Sequence, residues 1–401
     1  MTTTITNEYK NIKVPNLRFP EFQGEWKVES IKDVADFMGG GTPSSSNESF
    51  WQGTIPWVSS SDIVENDIKN ISISRYITEE AIAHSATKLC PAPSILIVSR
   101  VGVGKIALSK EVICTSQDFC NLINIKVEPI FLTYCLSQIM KRKSMEVQGT
   151  SIKGITTSEI QKISINIPSL QEQKKIGKIL SLLDERIATQ NKIIDKLQSL
   201  IKGINQRVFM NDGINYKLGE VCEIRSGYSG NQLLSKKGLK VSRIETISEH
   251  KVNLERVGYV APFESSENYK LQVGDILFSN INSVEYIGNT AFIDKDYDLY
   301  HGMNLLRLTP NNMVVIPFYL YLLLNTNRML NRFKTICNKA VSQASINQTE
   351  LGKTVVQIPD INAQKQICEL YQALYDKLES EKYANSLFQK QKQYLLRQMF
   401  I

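Results

Sequence analysis

From Ile176 onward the chain alternates steps of four and three between apolar positions: Ile176, Leu180, Leu183, Ile187, Ile194, Leu197, Ile201, Ile204 and Val208, with Gln190 alone interrupting the series. A period of 3.5 kept over more than four heptads predicts one long helix with a seam for a partner helix. Pro168 lies before it and Asn211-Asp212-Gly213 should stop it. From Gln171 to Val208 such a helix is about 57 Å long at 1.5 Å per residue. The pattern then recurs. Ile167-Pro168 opens the first segment and Ile358-Pro359 the second, an ungapped offset of 191 residues that carries Gln173-Lys174 onto Gln364-Lys365, Leu183 onto Leu374 and Gln198 onto Gln389. In the second copy the seam reads Ile367, Tyr371, Leu374, Leu378, Glu381, Asn385, Phe388, Lys392, Leu395 and Met399. Its middle is polar, and Ala384, Leu387 and Tyr394 offer a shifted apolar stripe there. The expectation is a second helix packed well at its ends and less regularly in its centre. Gln190 and Glu381 share one register position, where polar groups can set register at some cost in stability. Two exposed seams are best buried on each other as an antiparallel pair; the alternative is that each helix caps its own domain.

The stretch before each repeat reads as an α/β (α+β) domain of short strands. In the first, Ser94 to Val98 is a buried strand, Gly102-Val103-Gly104 a turn, Ile106 to Leu108 and Asn121 to Ile125 further strands. A helix over about 130–143 follows, and Ile163 to Ile167 leads into the repeat. The second domain keeps that order: strands at Val273 to Phe278, Gly288 to Phe292 and Met303 to Leu308, a helix over about 317–333, and Thr354 to Ile358. The expected boundaries are 1–169 for the first domain, 170–212 for the central helix, 213–360 for the second domain and 361–401 for the last helix. The whole is two domains and two long helices with a pseudo-two-fold internal repeat.

Composition narrows the class. A chain of 401 residues exceeds one ordinary core. No apolar run approaches the ~20 residues of a membrane span, and residues 1–13 are polar with no signal-peptide core. Seven scattered cysteines without C-x-x-C, and only three histidines, argue for reduced thiols in a cytoplasm and against a zinc site. The net charge of +7 permits a nucleic-acid partner without requiring one.

Catalytic motifs fail one after another. Gly102-Val103-Gly104-Lys105 is like the tail of a phosphate loop, but Ser99 stands where a glycine is needed and Ile106 where Ser or Thr is needed. Gly39-Gly40-Gly41-Thr42-Pro43 lacks the dinucleotide frame. No G-x-S-x-G, H-E-x-x-H, Asp/Asn-Pro-Pro-aromatic tetrapeptide or nuclease-type acidic cluster is present. What remains are polar and aromatic loops beside strands. Arg, Asn, Gln and Ser are the residues that read base edges or hold phosphates. The candidates for DNA contact are Thr42, Ser44, Ser45, Trp57, Ser60, Ser99, Arg100, Lys105 and Lys153 in the first domain, and Tyr228, Arg243, Asn280, Asn282 and Asn289 in the second.

Taken in order, these features resemble the specificity subunit of Type I restriction-modification systems. The resemblance rests on Val14-Pro15-Asn16-Leu17-Arg18-Phe19-Pro20-Glu21-Phe22 with Gly24-Glu25-Trp26, on Gly40-Gly41-Thr42-Pro43, and on Gly274-Asp275-Ile276-Leu277. Ile167-Pro168-Ser169-Leu170-Gln171-Glu172-Gln173 is similar to the family's entry into its spacer helix. Ser94-Ile95-Leu96 lacks the Gly-Asp, and Ile358-Pro359-Asp360-Ile361-Asn362-Ala363-Gln364 lacks the Glu. The resemblance implies two target recognition domains that each read half of a bipartite, asymmetric DNA site, held apart by an antiparallel coiled coil. It implies double-stranded DNA, two methyltransferase subunits and restriction/translocase subunits as partners. S-adenosylmethionine, ATP and magnesium would belong to those partners, none to this non-catalytic chain. A coiled-coil adaptor that binds only proteins is the competing reading, and an enzyme of unrecognised chemistry a third.

Overall fold

The computed structural model describes residues 14–148, 154–209, 213–248, 250–339 and 343–401. Asn211 and Asp212 lie outside them. The chain divides into two units: unit 1 is Met1–Asn191 with Tyr383–Ile401, and unit 2 is Lys192–Lys382. The long helices, Leu170–Val208 and Ile361–Gln398, each give one part to either unit.

Unit 1 is organised by an antiparallel sheet in the order Asp36–Gly39, Phe119–Ile123, Ser94–Val98, Ile106–Ser109. Strand Ser94–Val98 is apolar without alternation because both its faces are covered. Ile95 and Ile97 join the core that contains Phe131, Leu132, Leu136 and Met140 of helix Pro129–Gln148. Leu96 and Val98 face a second core with Val58, Ile63, Cys90 and Ile113. That second core rests on a mixed sheet, Arg75–Ile77, Ile55–Val58, Ile113–Thr115, Leu89–Cys90, in which Ile55–Val58 and Ile113–Thr115 run parallel. Strand Phe119–Ile123 stops two residues before the expected Ile125, because Asn124 turns the chain at φ +50°. A two-stranded neck, Lys27–Ser30 against Ser164–Ile167, closes the domain before the long helix.

Unit 2 repeats this plan. Its sheet runs Cys222–Ser226, Leu306–Pro310, Ile276–Phe278, Thr290–Phe292, all antiparallel, so first, fourth, second and third strands lie side by side as in unit 1. Its neck pairs Ile214–Lys217 with Val355–Ile358. Several expected elements differ. The strand expected over Met303 to Leu308 starts at Leu306 and runs to Pro310, because Asn304 turns the chain before it at φ +64°. The strand expected over Gly288 to Phe292 starts at Thr290. The strand expected from Val273 begins at Ile276, because Gly274 (φ +98°) and Asp275 form a turn. The Asp275 carboxylate caps that turn, accepting from the Gln272 amide (2.6 Å) and the Thr309 hydroxyl (2.7 Å), and pairs with Arg307 (2.8 Å). The helix expected over 317–333 is two helices, Pro317–Leu324 and Asn327–Ile336. Thr326 separates them: its hydroxyl accepts from the Met329 amide and restarts the chain as an N-cap.

Glutamines at the same repeat position lock each long helix to its domain. Gln173 accepts from the Glu128 amide (2.9 Å) and donates to the Pro168 carbonyl (2.8 Å). Gln364 accepts from the Ile316 amide (2.8 Å) and donates to the Pro359 carbonyl (2.9 Å). The missing Glu of the second copy has a physical explanation. Glu172, 1% exposed, holds Arg18 of the entry segment by two 2.8 Å contacts. Ala363 stands at the equivalent position, and the short link into unit 2's neck contains no matching arginine.

Within each unit the helix segments pack along the expected seam. In unit 1, Lys392 pairs with Asp184, Arg186 lies 4.6 Å over the Phe388 ring, and Asn385 donates to Asn191 (2.8 Å). Numbers rise on one helix as they fall on the other, so the segments are antiparallel. Ile176 and Leu180 are buried, and Leu183 and Ile187 half-buried. In unit 2, Ile194, Leu197, Ile201 and Ile204 share a core with Ile367, Tyr371, Leu374 and Leu378, and Tyr371 donates to Asn205. The shifted stripe is not used: Leu387 and Tyr394 are 45% and 57% exposed. Phe388 and Leu395 keep the seam instead, and so does Lys392 between them. Asp184 satisfies Lys392 while also accepting from the Tyr134 hydroxyl (2.5 Å), and Lys392 reaches the Asn66 carbonyl (3.3 Å). Burial first, then Asp184, pushes the Tyr134 hydroxyl pKa up, so it stays a donor.

Removing one partner of that half-buried pair exposes its cost. Lys392→Met is expected to destabilise unit 1 by about 1–2 kcal/mol, because Asp184 loses its cation but keeps some access to water. The double variant Lys392→Met with Asp184→Leu should recover most of the loss in urea unfolding. Equal loss in both would show that the pair contributes nothing specific.

Candidate nucleic-acid interface

In unit 1 most of the candidate residues meet at one end of the two sheets. In the run Gly39-Gly40-Gly41 the last two glycines are forced by close approach: a Cβ on Gly40 would stand 2.1 Å from the Ser116 carbonyl oxygen, and one on Gly41 2.3 Å from Ala86. The Gly41 amide donates to Thr115 (2.8 Å), and its carbonyl accepts from the Trp57 indole (2.9 Å). Thr42 then bonds to Gln117. The neighbouring Ser116 amide is tied to Val58 (2.9 Å), and the Asp118 carbonyl accepts both the amide (2.8 Å) and the hydroxyl (3.0 Å) of Ser99. Lys105 donates to the Ser60 carbonyl (3.2 Å). Thr42, Ser60, Ser99, Arg100 and Lys105 therefore gather around loop 116–118. Ser44 and Ser45 are exposed beyond it, with the Ser44 carbonyl accepting from the Trp51 indole (3.1 Å). Lys153 lies outside the described residues.

Two of these residues do a different job from a surface contact. Trp57 is 3% exposed, with its N–H spent on Gly41, so it braces the loop. Ser99 is 7% exposed, with its hydroxyl spent on Asp118. Arg75, absent from the sequence candidates, lies 4.6 Å over the Trp57 ring and pairs with Asp62. Burial opposes ionisation of Asp62, but bonds from Ser59 and Arg75 outweigh it and hold its pKa below the usual range. Arg75 is thus neutralised, whereas among the described residues Arg100 and Lys105 form no ion pair. No spacing rule connects Arg75 to Trp57; strand pairing brings them together.

In unit 2 the corresponding loops form a second strip. Tyr228 follows the first sheet strand, and its amide donates to His301 (2.9 Å). The adjacent Gly302 amide donates to the Ser242 hydroxyl (3.0 Å), which places Arg243 beside this row. Arg243 starts the short helix Ile244–Ile247 and contacts Glu245 (3.4 Å). Across a cavity of about 150 Å³ that helix faces Ser279, Asn282, Tyr286 and Asn289. Asn282 donates to the Ser279 hydroxyl (3.1 Å), and Asn280 to the Ile346 carbonyl (3.3 Å). Asn289, 8% exposed, lines the wall of this cavity more than the outer surface. The sequence candidates missed Phe263 and Tyr269, which enclose Tyr228: the Tyr228 and Phe263 rings stack at 3.9 Å, and Tyr269 meets them edge-on.

Burial pushes the Cys90 thiol up to about 11 and those of Cys114, Cys135 and Cys222 up to about 12, so these stay protonated. Burial likewise brings His301 down to about 4, which leaves it neutral near pH 7. No group of three His, Cys, Asp or Glu among the described residues is arranged to hold a metal.

The two strips occupy the same three loops of one strand order: after the first strand, after the second, and before the fourth. A repeated scaffold with unlike loops matches a known family model, the Type I restriction modification DNA specificity domain, at residues 23–199 and again at 211–386. The chain belongs to this family. A 158-residue stretch is 42% identical to the MjaX specificity subunit of Methanocaldococcus jannaschii, over 38% of this chain and only 37% of that protein. The type I restriction enzyme MjaVIII specificity subunit of the same organism is 24% identical over 410 residues, 95% of this chain and 92% of its own length. The EcoR124I/EcoR124II specificity subunit of Escherichia coli is 34% identical over 187 residues, 44% and 45% of the two chains. The fold also matches that of the crystallised S subunit of M. genitalium, with a TM-score of 0.61 at 17% identity, covering 97% of this chain and 99% of the other. As a type I specificity subunit the chain confers DNA sequence specificity and is not itself the enzyme. No described helix is long and apolar enough to cross a membrane.

Proposed function

We propose that each unit reads one half of a bipartite, asymmetric site in double-stranded DNA, through the loop strips described above. One observation carries this reading: the same three loops of one strand order present unlike polar, aromatic and cationic side chains in the two units. A conserved plan with divergent loops suits two modules that recognise different sequences. Thr42, Ser44, Ser45, Ser60, Arg100 and Lys105 would contact one half-site, and Tyr228, Arg243, Asn280 and Asn282 the other. Trp57, Ser99 and Asn289 would hold their loops in shape.

The long helices would pair as a continuous antiparallel coiled coil, set the spacing between half-sites and dock two methyltransferase subunits. Leu387, Tyr394 and Tyr383, the last 66% exposed, leave apolar surface on the second helix for such a contact. Restriction/translocase subunits would join the larger complex. S-adenosylmethionine, ATP and magnesium would be bound by those partners in the cytoplasm.

Salt dependence tests the reading against a protein-only adaptor. With the methyltransferase subunits bound, duplex affinity should fall on the order of a thousandfold between 50 and 200 mM salt, as counterions compete for several phosphate contacts. A flat salt response would remove DNA as the ligand.

A further inference from the structure

Loop 229–238 of unit 2 has a composition and a shape that the readout residues do not explain. Its ends are pinned to one strand. Gln232 bridges to Val260, the Leu233 amide donates to the Tyr259 carbonyl (2.7 Å), and Leu239 pairs again with Val260. Gly238, at φ +125°, makes the return possible. Between these pins the chain projects, and at its tip Leu234 is 108% exposed, the highest value of any large apolar side chain among the described residues. Ser235, Lys236 and Lys237 beside it are exposed as well. No Asp or Glu occurs from Ser226 to Val241, and neither Lys236 nor Lys237 forms an ion pair among the described residues.

The loop leaves the sheet directly after Tyr228, so it begins in the second strip. Its counterpart in unit 1, 40–47, carries serines and no lysine. A bare leucine costs solvation free energy wherever it meets water, and two unpaired cations next to it specify an anionic partner with an apolar interior. A protein face would supply carboxylates in no fixed arrangement. A DNA duplex supplies phosphates flanking stacked bases, and apolar side chains are known to enter base steps in this way.

We propose that Leu234 is a wedge that enters a base step at the half-site read by unit 2, with Lys236 and Lys237 on the flanking phosphates. This rests on the DNA reading above. It adds a deformation of the duplex at one half-site only, and so a preference for flexible pyrimidine–purine steps there.

The test uses the full chain in complex with its methyltransferase subunits, and a duplex of the sequence that the complex methylates in a host. 2-Aminopurine placed in turn along the second half-site reports unstacking. Wild-type complex should raise its fluorescence at one step, and Leu234→Ala should abolish that rise. Leu234→Ala should also weaken cognate affinity about tenfold without altering the salt slope. Lys236→Gln with Lys237→Gln should lower the salt slope by about two. Leu234 buries nothing, so the fold is not at stake. If wild-type complex shows a steep salt slope but Leu234→Ala leaves fluorescence and affinity unchanged, the wedge is refuted while DNA binding stands. If Leu234→Ala reduces co-purification of the methyltransferase subunits without DNA, the loop contacts protein and the wedge is again refuted. A flat wild-type salt response would remove the DNA reading itself.

Discussion

Exchanging residues 26–166 for the equivalent module of another family member is expected to replace one half of the methylated sequence and leave the other half unchanged. The cut is physically reasonable. Lys27 lies opposite Ile167 in the neck of unit 1, so both ends of the exchanged segment meet at one place. Everything between them carries the first strip, and none of the second. The long helix after Leu170 is left intact with its Glu172 and Gln173 anchors. Methylome sequencing of a host expressing the hybrid with its partner subunits reads both half-sites and the gap between them at once. Change in both halves would mean that the two units do not read independently.

The largest effect on stability is expected from Asp275→Ala. The carboxylate is 1% exposed and satisfies the Gln272 amide, the Thr309 hydroxyl and the Arg307 guanidinium together. Removing it leaves a nearly buried arginine without its anion, and such broken pairs cost about 3–5 kcal/mol. For a unit of this size that lowers the melting temperature by roughly 10 °C. Asp275→Asn keeps one acceptor oxygen, enough for the Gln272 amide or the Thr309 hydroxyl but not both, and should lose less than the alanine variant. Hydrogen exchange should localise the loss to strands Ile276–Phe278 and Leu306–Pro310. A loss below about 1 kcal/mol would mean that the turn is held by its backbone alone.

Asp275 also shows how the sequence can be informative and misread together. Gly274-Asp275-Ile276-Leu277 stands out as a motif, yet its aspartate ends a turn, and the strand starts at Ile276, three residues beyond the expected edge. The seam of the second helix behaves similarly. Glu381, Asn385 and Lys392 look like weak points, and a neighbouring apolar stripe offers an alternative. The helix keeps its heptad register because Asp184, Tyr134 and Asn191 supply polar partners that no local pattern displays. The single helix expected over 317–333 fails for a local reason: Thr326 caps the second half, and Asn325 turns its side chain to the Tyr321 carbonyl (2.7 Å) and the Thr290 hydroxyl (2.6 Å).

By itself the sequence determined the repeat, the long helices with their seam, the buried strands and the absence of catalytic motifs. These depend on periodicity and on neighbours a few residues apart, which a linear pattern records. Only the tertiary structure decided that Trp57 braces a loop, that Arg75 is neutralised beside it, that Phe263 and Tyr269 enclose Tyr228, and that Leu234 stands bare between pinned ends. Those facts depend on pairings between distant strands, where one register shift would exchange the buried and exposed faces.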